Sequence, residues 1–293
     1  MEAKWRWMLL TAIAPVSWGS MYVVTHQALP PDAPLWGAAS RALPAALVLL
    51  LVVRRLPTGA WWWRSAVLGV LNVAAFFLLV YVAATLLPSS IAASVMAASP
   101  IVLMALAWPI ARERPTPRLV VGAGVGIAGV LLVVTAGADA VDVRGVVASA
   151  AALGMWSLGS VLAKRWHDGT PALHLTAWQL AAGALVLAPC AVLVEGAPPR
   201  VDAVGVAAYA YVALVATALA FVCWFAGMQH LPAGAVGIVA LLNPATGVLL
   251  GVVIGGEHLS VLQGVGIALV MAAVAIGATR ARAAGRPAPA PAP

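Results

Sequence analysis

Residues 87–113 read LPSSIAASVMAASPIVLMALAWPIARE, and residues 231–257 read LPAGAVGIVALLNPATGVLLGVVIGGE. The two stretches lie 144 positions apart and stay in register: Leu87-Pro88 falls on Leu231-Pro232, Pro100 on Pro244, Ile110 on Ile254 and Glu113 on Glu257. The same offset carries on to Val121-Gly122 and Val265-Gly266. Nearer the front of each half, Trp18-Gly19-Ser20 resembles Trp156-Ser157 at an offset of 138. A fixed offset of this kind is the signature of an internal duplication. Each stretch is also apolar over more than the roughly 20 residues that a helix needs to cross a bilayer.

Working outward, the rest of the chain has the same character. Of 293 residues, 63% are hydrophobic and 9% charged, where a soluble domain carries about a quarter charged. Mean hydropathy is +1.02, which excludes a soluble enzyme on a single anchor and a nucleic-acid-binding chain. Backbone polar groups facing hydrocarbon must be satisfied internally, so each long apolar run reads as a helix. Ten such runs are expected, at residues 7–25, 34–53, 65–85, 89–110, 118–136, 144–163, 172–194, 203–226, 232–254 and 260–279. The run from Trp7 is too long for a signal peptide and is expected to stay in the mature protein.

The formal charge of +7 is explained by topology. With the N-terminus inside, thirteen of the sixteen Lys and Arg fall in cytoplasmic segments, from Lys4 and Arg6 to Arg280, Arg282 and Arg286, and only Arg144 and Arg200 fall outside. A multi-pass protein of the cell membrane with both termini cytoplasmic is therefore expected. Its units are residues 1–137 and 138–280, followed by a disordered Ala/Pro-rich cytoplasmic tail over 281–293. Five spans per unit is an odd number, so the copies must enter the membrane in opposite directions. Inverted repeats of this kind mark secondary transporters.

These residues resemble the drug/metabolite transporter superfamily, EamA type: two five-helix halves, a Trp-Gly/Ser patch in each first helix, and a Pro followed thirteen positions later by Glu in each half. The resemblance covers roughly residues 7–279 and implies ten helices around a central cavity that carries small organic metabolites, often amino acids or drugs, outward without ATP. Against a tidy duplication, Arg41 in the second span is answered by Gln179 in the seventh.

Several motifs have two readings. Gly124-Val-Gly126-Ile-Ala-Gly129 matches the dinucleotide fingerprint formally, but it sits inside an apolar run with no preceding strand, and Gly122 with Gly126 gives small-xxx-small helix packing. Arg41 lies about seven residues, or roughly 10 Å, into its span. It either snorkels or bonds a carbonyl, or it holds a substrate carboxylate or gate. Glu113 and Glu257 end their spans at opposite interfaces, where pairing with cations or free N–H groups is the simpler reading. Trp61-Trp62-Trp63 beside Arg64 reads as an interfacial aromatic belt. Pro100 and Pro244, at matching mid-span depths, are either plain kinks or hinges beside the binding site.

Polar and aromatic groups inside spans are the candidate substrate-binding residues, since an unpartnered polar group in hydrocarbon is costly. They are Trp18, Tyr22, Arg41, Asn72, Tyr81, Ser94, Trp156, Ser160, Trp178, Gln179, Tyr211, Trp224 and Asn243. Trp18 and Tyr22, four apart, can share a helix face. The five histidines have no ligand spacing, and Cys190 and Cys223 both read as small buried hydrophobes. No metal, cofactor or catalytic set is expected. The expected partners are a small-molecule substrate and the lipid bilayer, with the chain a monomer or homodimer. A metabolite uptake permease is the alternative within the class, and a non-transporting scaffold or membrane enzyme the alternative outside it.

Overall fold

The computed structural model describes residues 2–28, 33–86, 95–134, 142–255 and 260–278. The tail 281–293, Ser94, Glu257 and the side chain of Tyr22 lie outside the described residues. Thirteen α-helices and two π-helical segments are described. They are α1 (Glu2–Ala28), α2 (Pro34–Val53), α3 (Trp61–Gly69), a first π segment (Val70–Ala74) and α4 (Ala75–Leu86). Next come α5 (Ser99–Ala111), α6 (Pro117–Val134), α7 (Val143–Arg165) and α8 (Ala172–Glu195). The chain continues through α9 (Ala203–Ala213), a second π segment (Leu214–Leu219), α10 (Ala220–His230), α11 (Ala233–Ala240), α12 (Leu242–Gly255) and α13 (Val261–Ala278). Among the described residues five segments, Ala172–Glu195 and Ala203–His230 among them, are long and apolar enough to span a bilayer, and shorter apolar helices accompany them. Their outward faces carry Leu51, Leu185, Leu193 and Val253, each more than two-thirds exposed, as lipid-facing helices require.

The boundaries follow local chemistry. Pro34 opens α2 and Pro117 opens α6, where a missing N–H costs nothing. Asp142 and Asp202 cap α7 and α9 through the backbone N–H groups of Arg144 and Gly205. Helices α2 and α5 both end on an arginine in the left-handed region, Arg54 at φ 49° and Arg112 at φ 58°. The third run starts at Trp61, earlier than the hydropathy suggests.

Helices pack in matched pairs across the halves: α2 on α8, α6 on α13, and α5 on α11. Helix α1 lies against α10 and α12, while α7 lies against α4 and α5. Glycines permit the closest approaches. A Cβ at Gly126 would fall 2.3 Å from Leu241 Cδ1, one at Gly129 would fall 2.7 Å from the Gly266 carbonyl, and one at Gly124 would meet nothing within 4 Å. The fingerprint-like sequence is thus a packing face of α6. At the crossing of α3 and α8, a Cβ on Gly183 would lie 2.5 Å from Val73 Cβ and 2.9 Å from the Gly69 carbonyl.

Trp62 and Trp63 are exposed, as an interfacial belt requires, but Trp61 is only 5% exposed. It donates from Nε1 to Asp168 at 2.9 Å, and Arg64 reaches the same carboxylate at 3.4 Å. Cys223 is buried, whereas Cys190 is exposed on α8, which corrects its expected burial.

Two outcomes follow. Gly183→Ala should destabilise the purified protein by about 1–3 kcal/mol through overpacking, read as a lower thermal midpoint in detergent, while Gly124→Ala should leave it unchanged or slightly raised. Asp168 has partial burial working to raise its pKa, but hydrogen bonds from Thr170 and Trp61 and the Arg64 charge outweigh this and hold it below the ordinary carboxylate value. A depressed pKa stabilises the fold above the unfolded-chain value and loses that contribution as pH falls through the native one. The thermal midpoint should therefore drop less below about pH 4 in Asp168→Asn than in the parent protein.

Candidate functional site

The two π segments begin 144 residues apart, at Val70 and Leu214, so each half carries one at the same place in its third run. A π segment widens the helix and loosens the regular i to i−4 ladder. In the second segment the Ala216 carbonyl accepts a hydrogen bond from Trp18 Nε1 of α1 at 3.0 Å. The neighbouring Thr217 Oγ1 accepts from Arg41 Nε of α2, also at 3.0 Å. In the first segment, Asn72 Nδ2 donates to Gln179 Oε1 of α8 at 2.9 Å. The side chain of Asn72 lies so close to α7 that a Cβ on Gly159 would fall 2.0 Å from it. Each widened turn is therefore met by the first and second runs of the opposite half.

An aromatic cluster fills the space between them. Trp18 lies 5.4 Å from Trp156 and 5.4 Å from Trp224, and Trp156 lies 5.5 Å from Trp224. Phe221 packs edge-on to Trp156 at 5.2 Å, and Phe76 stacks on Trp156 at 5.0 Å. Trp224 Nε1 donates to Ser160 Oγ at 3.1 Å, so this fully buried indole leaves no orphan donor.

Arg41 is 6% exposed and holds its guanidinium 3.9 Å above the Phe77 ring. A cation over an aromatic face in a low-dielectric setting is stabilised electrostatically, which together with Thr217 accounts for a charge within an apolar run. Tyr81 sits against α2, where a Cβ on Gly37 would fall 2.2 Å from its hydroxyl. The hydroxyls of Ser20 and Tyr211 are hydrogen-bonded to each other. At the start of α2, the Glu195 carboxylate at the end of α8 accepts from the N–H groups of Leu35 at 2.7 Å and Trp36 at 2.9 Å. A negative charge at a helix N-terminus both satisfies orphan donors and complements the helix dipole.

The arrangement gathers Trp18, Arg41, Asn72, Tyr81, Trp156, Ser160, Gln179, Tyr211 and Trp224 around the two π segments. It separates Trp178, whose indole donates to the Arg55 carbonyl at 2.8 Å and lies 5.8 Å from Trp61 at one end of the bundle. Asn243 sits in the first turn of α12, with its backbone carbonyl against Gly19 and its buried side-chain Oδ1 without a hydrogen-bond partner. Pro100 and Pro244 do not kink continuous helices. Pro100 falls in the first turn of α5, just after a turn at 97–98, and Pro244 falls in the first turn of α12, just after a turn at 241. The break precedes the proline in each half.

Thr217, Phe77 and Glu195 contribute to this site without having stood out in the sequence. Thr217 could have been found from its place within the repeated third run; Phe77 carries no comparable signal. Among the described residues there is no group of three His, Cys, Asp or Glu that could hold a metal ion. Chemically, the cluster offers aromatic faces, hydroxyls, two amides and one guanidinium, which suits recognition rather than bond-making.

The chain matches the EamA-like transporter family twice, over residues 5–135 and 143–278. It is 35% identical over 261 residues to Protein PecM of Dickeya dadantii, covering 88% of this chain and 87% of that one. To the uncharacterized inner membrane transporter YedA of Escherichia coli K12 it is 27% identical over 261 residues, covering 87% and 85%. To a probable amino-acid metabolite efflux pump of Salmonella typhimurium it is 27% identical over 195 residues, covering 63% and 65%. A crystal structure of a protein superposes with a TM-score of 0.77 at 22% identity, over 93% of this chain and 97% of the other, which speaks to the fold.

The Asn72–Gln179 pair supplies the test of this geometry. Gln179→Leu leaves a buried amide donor unsatisfied and should lower stability by about 1–3 kcal/mol, whereas Asn72→Leu with Gln179→Leu should recover much of the loss. Thermal unfolding of the two single variants and the double variant measures the coupling.

Proposed function

This chain belongs to the EamA-like transporter family and is a multi-pass membrane protein with a small-molecule substrate; from that premise we propose that it is a secondary transporter working by alternating access. Ten spans form two inverted five-helix repeats, residues 1–137 and 138–280, around a central cavity. Both termini are cytoplasmic. The cargo is a small organic metabolite, neutral or zwitterionic and touching aromatic walls, and it moves outward. An amino acid, a related metabolite or a drug fits that description. The proton-motive force or the substrate gradient drives the cycle.

One observation carries this reading. The π segment of each half is held by the first and second runs of the other half, through Trp18 and Arg41 on one side and through Gly159 and Gln179 on the other. If the halves exchange conformations, each of these contacts has a counterpart to exchange with, which is what an inverted pair needs in order to face first one side and then the other. Trp18, the half-buried member of the aromatic cluster, offers a stacking face, and Arg41 with the Tyr81, Ser20 and Tyr211 hydroxyls offers polar anchors. Export of amino-acid metabolites is suggested by the name of the Salmonella relative. Uptake is the second reading, since the same exchange of states runs in either direction.

Purified protein in proteoliposomes tests this proposal, with counterflow screened against amino acids and cationic dyes, with and without a pH gradient. Saturable counterflow is expected. Trp18→Ala should reduce it about tenfold or more, the loss that corresponds to about 1.4 kcal/mol of binding. Trp18→Phe, which keeps the ring but loses the bond to Ala216, should fall between the two. Counterflow of no solute, or full activity in Trp18→Ala, would contradict it.

A further inference from the structure

A second set of polar contacts joins the halves at the end of the bundle away from Glu195. Arg112 closes α5 in the left-handed conformation, and the N–H of Glu113 bonds back to the Ala107 carbonyl at 3.1 Å. The two oxygens of Glu113 then divide their work. Oε1 pairs with Lys164 Nζ of α7 at 2.5 Å, and Oε2 accepts from the Ala233 N–H at 2.8 Å. Lys164 also donates to the Leu231 carbonyl. Pro232, which precedes Ala233, has no N–H, so Ala233 supplies the first free donor of α11. One carboxylate from the first half thus holds both a cation and a helix N-terminus of the second.

We propose that Glu113, Lys164 and the N-terminus of α11 form the latch that keeps the cytoplasmic side shut, and that α11 swings on its opposite end when the latch opens. The inference rests on the alternating-access reading above. Helix α11 is a short, buried segment packed on α5, α6 and α13, so its withdrawal would uncover their faces. It is eight residues long, is bounded by Pro232, and ends at the turn at Leu241, where the N–H of that residue bonds back to Ile238 at 3.2 Å. It is therefore fixed at one end by side chains of other helices and at the other by a break in its own span.

Beneath the latch lies an apolar seal. Met104, Leu119, Ala235 and Ile238 are buried together, and a Cβ on Gly234 would lie 2.6 Å from Met104 Cγ. Opening the ion pair and withdrawing α11 exposes this seal to water. The pair suits a reversible gate because Glu113 and Lys164 retain 27% and 16% side-chain exposure, respectively. Both charges keep some contact with water, so separating them costs less than separating a fully buried pair, and the pair biases the closed state.

The test is substrate-independent. In nanodiscs, full-length protein with Cys190→Ser, Cys223→Ala and Met104→Cys is reacted with a water-soluble maleimide. Lys164→Met and the isosteric Glu113→Gln should each speed labelling about fivefold, and Glu113→Asp should stay near the parent rate. Asp168→Asn, which removes the charge facing Arg64 at a separate contact, should leave the rate unchanged. Raising ionic strength from about 0.05 to about 0.5 M should speed labelling of the unaltered latch, with no substitution in it that could disturb folding. A labelling rate indifferent both to Lys164→Met and to salt overturns the latch. Faster labelling in a protein that exchanges no solute keeps the latch while removing the transport reading, and counterflow with indifferent labelling does the reverse.

Discussion

Polar groups that the hydrocarbon forbids are stabilised by partners within the chain, and at the centre of this protein the key partners come from the opposite half. That constraint is sharpest at the π segments. Widening the helix at Leu214–Leu219 gives the Ala216 carbonyl and the Thr217 hydroxyl to Trp18 and Arg41. Widening it at Val70–Ala74 gives Asn72 to Gln179. Because neither half satisfies these groups alone, association of the halves is tied to the arrangement of the centre. The close glycine contacts, Gly183 on Val73 and Gly159 on Asn72, bring the backbones near enough for the short side chains to meet.

The ends of the bundle obey the same rule with charges instead of amides. Glu195 caps α2, Glu113 caps α11, and Asp168 gathers Trp61 and Arg64. Each carboxylate sits where water can still reach it, and each binds an element other than its own. The centre is held by amide and indole hydrogen bonds, aromatic packing and the Arg41 cation over Phe77, while the faces are held by carboxylate contacts that can rehydrate. This division leaves the contacts that water can reach at the two ends of the bundle and the buried ones between them.

Much of this was legible in the sequence, for physical reasons. Length and hydropathy place the runs, since crossing a bilayer fixes about 20 residues, and helices such as Pro34–Val53 and Ala172–Glu195 fall within a residue of the expected limits. The offsets of 144 and 138 foretold which residues correspond, including Arg41 and Gln179. The π segments were not legible, because Val-Leu-Asn-Val-Ala and Leu-Val-Ala-Thr-Ala-Leu contain no Gly or Pro and hydropathy cannot see one extra residue per turn. Trp178 and Gln179 are adjacent in sequence, yet they point roughly 100° apart on the helix. The two therefore face different neighbours, and the long indole of Trp178 reaches the Arg55 carbonyl while Gln179 meets Asn72. The prolines announced breaks without saying that the break comes before them. Glu195 gave no sign in the sequence that it reaches across to cap α2.

Alternating access requires the two halves to exchange between two arrangements, which a pulsed electron-spin distance between nitroxides at Arg114 and Arg165 in nanodiscs reads without any substrate. These exposed positions flank Glu113 and Lys164. Two separations in equilibrium are expected, with the longer one gaining population when Lys164 is replaced by methionine. A single narrow separation, unchanged by that replacement, would contradict it.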